Sequence, residues 1–105
     1  MNKISIVYTT IGSAEEAKEL ATKAVTKKYA ACVNIVPGAL SIYQWEGEVQ
    51  QSSECLIIFK TDISRVDDLK ELISKEHPYD VPAIIDCKAE SSAKFHAFVI
   101  GGISV

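Results

Sequence analysis

A chain of 105 residues with 48% hydrophobic and 24% charged side chains has the size and composition of one globular domain spanning 1–105, and is not a disordered, collagen-like or coiled-coil sequence. Its 14 acidic and 11 basic residues give a net charge of -3, and only Lys27 and Lys28 are adjacent among the basic residues, so nothing in it draws nucleic acid. No apolar run approaches the roughly 20 residues of a membrane-spanning helix, and the N-terminus enters a strand pattern without a secretory block, so the expectation is a cytoplasmic protein with no membrane partner.

Lys3 to Thr10 is rich in β-branched and aromatic residues and breaks at Ile11-Gly12-Ser13, which predicts a first strand. Ser13 and Glu16 have capping-box spacing. Ala14, Ala17, Leu20, Ala21, Ala24 and Val25 recur at helical steps, which predicts a helix over 13–28 with Glu19 and Lys23 paired on its wet side. Strand character resumes from Ala30 to Trp45 and, after a tight turn at Gly47, from Glu48 to Thr61. A proline removes a ladder donor, so Pro37-Gly38 should mark a bulge or bend, and arms this long should project beyond the body of the domain.

Asp62 to Glu76 places Ile63, Val66, Leu69, Leu72 and Ile73 at helical spacing, with Asp67 and Asp68 early, Lys75 late and Pro78 beyond the end, predicting a second helix. Pro82 to Glu90 reads as a fourth strand, and Ser92 to Ile100 as a short helix ended by Gly101-Gly102. The order β-α-β-β-α-β-α predicts an α+β, ferredoxin-like βαββαβ sandwich with a long β2-β3 hairpin and a short C-terminal helix. Its uncovered apolar strand surface argues for a symmetric oligomer. Cys32, Cys55 and Cys87 are odd in number, well separated and set in apolar strand runs, as reduced core thiols are.

Several segments then match a known family in order and spacing: Ala30-Ala31-Cys32-Val33-Asn34, Pro37-Gly38, Ser41 with Tyr43, Trp45 and Gly47, Lys60-Thr61, and His77-Pro78-Tyr79-Asp80-Val81-Pro82. On these the chain resembles the CutA family of divalent-cation tolerance proteins. The resemblance implies a ferredoxin-like subunit in a homotrimer similar to PII proteins, with the long hairpins pairing between subunits, and a role in the response to metal ions with copper binding attributed to some members.

His77 lies at a helix C-terminus, where a positive charge is favoured, so its imidazole reads either as a structural cap or as a ligand for copper or another divalent cation, at a between-subunit site by resemblance. Cys32 is the thiol that would accompany it, its other reading being a core residue. Three converging ligands are normally wanted, and Glu76, Asp80 or a neighbouring subunit would have to complete the set. Many family members carry glutamate where this chain has Ala83, and some offer a cysteine where this chain reads Tyr8-Thr9-Thr10, so two expected ligands are missing here.

Tyr43 and Trp45 share a strand face, either as packing residues or as the aromatic wall of an inter-subunit cleft, with Lys60 as its cation and Tyr79 as a hydroxyl donor for a small anionic metabolite. His96 reads as a surface or packing residue. No nucleophile-base order, phosphate loop or paired-carboxylate motif suggests catalysis. Two readings follow: a trimeric metal-responsive protein, and a PII-like scaffold binding an anionic metabolite or a protein partner.

Overall fold

The structure, a computed structural model, describes residues 2–104. Its elements are β1 (Lys3–Ile11), α1 (Ala14–Thr26), β2 (Cys32–Trp45), β3 (Glu48–Thr61), α2 (Val66–Glu76), β4 (Ile85–Glu90) and α3 (Ala93–Ile103), with a single 3-10 turn (Ile63–Arg65) leading into α2. The four strands form one antiparallel sheet in the order β2-β3-β1-β4. Each helical crossover skips one strand position, so two split β-α-β units interleave, as the element order predicted.

The core lies between the sheet and its first two helices. Val7, Ile11, Cys55, Ile57 and Phe59 meet Ala17, Leu20 and Ala24 of α1 and Val66, Leu69, Leu72 and Ile73 of α2 in one buried cluster. Alanines on the α1 stripe bring that helix close to the strands. Ser13 caps α1 by accepting the Glu16 N–H, as expected, and its own hydroxyl donates to the Glu16 carboxylate at 3.0 Å. Lys28, at φ 62, closes the helix: its N–H reaches the Val25 carbonyl and that of Tyr29 reaches Ala24, the paired bonds that usually end on glycine.

Several local expectations are corrected. Lys23 pairs with Glu76 across the helix interface at 2.6 Å instead of with Glu19. Ile63 is exposed, because Asp62 accepts the Ser64 N–H and starts a 3-10 turn that rotates Ile63 out of the helical stripe. The fourth strand begins at Ile85 and not at Pro82: pairing with β1 opens at Tyr8 opposite Ile85, three residues beyond the proline. Of the three cysteines only Cys55 is buried; Cys32 is partly exposed and Cys87 exposed, because their strand positions face away from the helices.

The last helix also runs through Gly101-Gly102 to Ile103. A side chain at Gly102 would place its first carbon 2.9 Å from the Ala31 Cβ and 3.2 Å from its Cα, so this glycine is a contact surface and not a stop. Gly102→Ala is therefore expected to lower the thermal midpoint, at a cost of about 1–3 kcal/mol from overpacking. Gly101→Ala, with nothing near it, should raise the midpoint slightly through better helix propensity. Thermal melts of the two variants side by side check this; equal midpoints would mean α3 does not dock on Ala31.

The hairpin has two halves. Near the body, Leu56 to Lys60 of β3 pairs with both β2 and β1, whereas Glu48 to Glu54 pairs with β2 alone. At the tip Glu46 (φ 50) and Gly47 (φ 81) both take the positive φ that a two-residue primed turn requires. The bulge expected at Pro37-Gly38 separates the halves: Val36 stands opposite Leu56, but Ala39 stands opposite Glu54. One extra residue in β2 inverts the side-chain alternation beyond it. Val33 and Ile35 face the core, and Ser41, Tyr43 and Trp45, also odd-numbered, face the opposite way.

Candidate functional site

That inversion builds a cleft of about 820 Å³ between the hairpin arm and the segment after α2. Tyr43 and Trp45 line it from β2, Glu54 from β3, Thr10 from β1, and Tyr79 with Asp80 from the connection into β4. Among the lining residues the only formally charged groups are carboxylates.

His77 positions this connection. As the C-cap residue of α2 it is buried, and both ring nitrogens are engaged: Nε2 donates to the Thr10 carbonyl at 2.7 Å, and Nδ1 accepts the Tyr79 N–H at 3.2 Å. The Tyr79 ring stands edge-on to the imidazole with centroids 4.6 Å apart. Thus oriented, the Tyr79 hydroxyl donates to Glu54 Oε2 at 2.6 Å. Burial pushes the Tyr79 phenol well above its usual range, and acceptance by Glu54 pushes it further the same way. Burial also acts to raise the Glu54 carboxyl, but the Ser41, Tyr79 and Thr10 hydroxyls outweigh it and hold it below the ordinary carboxylate range. Glu54 is thus an anion at neutral pH although it is only 9% exposed, and the ion pairs among the described residues leave it without a lysine or arginine.

Of the residues singled out from sequence, Tyr43, Trp45 and Tyr79 come together in this cleft and Lys60 does not. Lys60 lies six residues along β3 from Glu54, roughly 20 Å at strand rise, with Nζ 3.7 Å from Cys32 Sγ. Cys32 sits opposite Lys60 in the β2–β3 register and is likewise remote from His77, which binds the strand end at Thr10. The separation has a simple cause: strand register ties Cys32 to the body end of the hairpin, while the helix end ties His77 to the far end of β1. Glu76 is taken by Lys23, and His96 lies on α3. Glu54 escaped notice in the sequence. The signal was there, an acidic residue directly before the apolar run Cys55 to Phe59.

These positions decide whether a resident copper or zinc fits. An imidazole with both nitrogens bonded has no free lone pair, Cys32 is elsewhere, and position 83 offers a methyl group. Among the described residues no three histidine, cysteine or acidic side chains converge on one point. One subunit alone does not supply the ligand set.

Residues 5–100 match the CutA1 divalent ion tolerance protein family. A chloroplastic CutA of Arabidopsis thaliana is 50% identical over 80 residues, covering 76% of this chain and 44% of that protein, so the chain spans under half the length of this plant relative. The divalent-cation tolerance protein CutA of Thermus thermophilus is 45% identical over 80 residues, covering 76% of this chain and 78% of that one. The crystal structure of CutA1 from Ehrlichia chaffeensis superposes with a TM-score of 0.94 at 35% identity, covering 97% of this chain and 96% of the other. With one family spanning nearly the whole sequence and the same fold in a solved member, the chain belongs to the CutA1 divalent ion tolerance family.

Proposed function

We propose that this protein serves divalent-cation tolerance as a homotrimer whose subunits each carry a cation-attracting cleft, and that it is a binding protein and not an enzyme. The observation that carries the assembly is the hairpin arm. A two-stranded ribbon is marginal in water on its own, and the face of this one turned away from the cleft is apolar, with Leu40 (64% exposed), Ile42 (63%) and Val49 (67%) side by side on it. Surface of this kind is covered in the working protein, and further copies of the chain cover it most simply by pairing along the free strand edges. The three thiols stand free, which suits a reducing compartment, and we assign the protein to the cytoplasm on that ground.

The charge of the cleft favours cations over the anionic metabolite considered from sequence, because Lys60 is at the other end of β3 and Glu54 and Asp80 face the space. Divalent ions are expected to meet these carboxylates weakly, as hydrated ions, without His77. Light scattering on the reduced protein should give about three times the 11.5 kDa subunit mass. Calorimetric titration of that sample with copper and zinc should show weak binding that survives His77→Gln, which keeps the contact to Thr10, and is reduced in Asp80→Asn. A monomer would overturn the assembly. Tight stoichiometric copper binding abolished by His77→Gln would restore the histidine as a ligand.

A further inference from the structure

The walls of the cleft narrow the class of cation. We infer that the cleft is a binding site for a small organic cation, an alkylammonium or guanidinium compound with an apolar body. This rests on the reading above, in that the cleft must persist in the assembled protein.

Two independent features point to such a ligand. Glu54 is a nine-tenths buried carboxylate held ionised by hydroxyls and lacking a counter-cation among the described residues, so it presents an uncompensated negative charge to the cleft. A carboxylate kept ionised in this way and facing a cleft attracts a ligand cation, which no lysine or arginine there competes with. The opposite wall is aromatic. Tyr43 and Trp45 project from the same face of β2, and the negative faces of such rings attract ammonium and guanidinium groups that come within about 6 Å of the ring centre.

Size and donor count of this subunit's cleft suit an organic molecule better than a bare metal ion. A volume of 820 Å³ lies in the range of small-molecule sites, roughly 300–1,000 Å³, and far exceeds one ion. No three metal-ligating side chains converge there among the described residues. An organic cation needs fewer: one carboxylate for its charge, a π-face for its head group, and apolar surface, here Val81 and the Tyr43 ring, for its body.

Calorimetry on the full chain tests this with three probes of one shape: benzyltrimethylammonium, benzyl alcohol and benzenesulfonate, the mass being determined by light scattering on the same sample. Saturable binding of the ammonium probe alone is expected. Glu54→Gln, which retains an acceptor for Tyr79, should weaken it at least about tenfold, and Trp45→Leu, which keeps apolar area but removes the π-face, severalfold. Trp45 is 58% exposed on the arm, so this variant folds even if the buried one does not. A trimer that ignores the ammonium probe, or binds benzenesulfonate better, overturns the inference while leaving the assembly intact. A monomer that binds it in a Glu54-dependent way supports the inference and overturns the assembly instead.

Discussion

Replacing Phe59 with alanine is expected to remove about 3–5 kcal/mol of stability, the usual cost of truncating a buried phenylalanine. Phe59 is the largest fully buried side chain described. It stands on β3 between Val7 and Val33 and reaches the cluster formed by α1 and α2, so it touches every layer of the core. A domain of this size has roughly 5–15 kcal/mol in total. Urea denaturation followed by circular dichroism should show a midpoint far below that of the parent chain at an unchanged slope. Phe59→Leu should recover most of the loss, since it refills much of the volume. A loss under about 1 kcal/mol would mean that the helices do not pack on this strand as described.

His77→Ala should have the second largest effect, about 2–3 kcal/mol, although the residue is polar and sits at a helix end. The imidazole joins three elements: the end of α2 through its own backbone, β1 through the Thr10 carbonyl, and the connection to β4 through the Tyr79 N–H. Removing it strands a carbonyl and an amide and opens a cavity. His77→Gln, whose amide nitrogen can reach Thr10, should restore about 1 kcal/mol. Because Tyr79 is aimed at Glu54 by this contact, the alanine variant should also broaden or shift the Tyr79 side-chain signals in NMR spectra. A fully stable His77→Ala protein with unchanged Tyr79 signals would show that the bonds are dispensable.

The elements of this fold were legible because each rests on local chemistry. The Glu46-Gly47 turn, the Ser13 cap and the α2 stripe require only neighbours in sequence, and β3 appears between the residues expected, Glu48 and Thr61. The bulge at Pro37-Gly38 was legible as an interruption, but its consequence was not: a register shift redirects every later side chain, and which face those residues join depends on pairing with a distant strand. The same limit governs the site. Tyr43, Trp45 and Tyr79 were singled out and do meet within one subunit, whereas Lys60, expected as the cation of a cleft between subunits, lies at the other end of β3 in its own subunit. His77 reads from sequence as a ligand as readily as a strut, because nothing local reveals that the Thr10 carbonyl stands within 2.7 Å. Gly102 looked like a stop because its neighbour across space, Ala31, is far away along the chain.

The partners of β1 impose an order on folding during synthesis. Its inner edge pairs with β3, but its outer edge pairs with β4 from Tyr8 opposite Ile85 to Lys3 opposite Glu90, joining positions separated by nearly the entire chain. The hairpin, by contrast, can zip from its two-residue turn as soon as it leaves the ribosome, on a microsecond scale. Until the last stretch is translated, the nascent chain therefore carries a finished arm ready for partners and a central strand with one bare edge. A foreign strand that occupied this edge first would exclude β4.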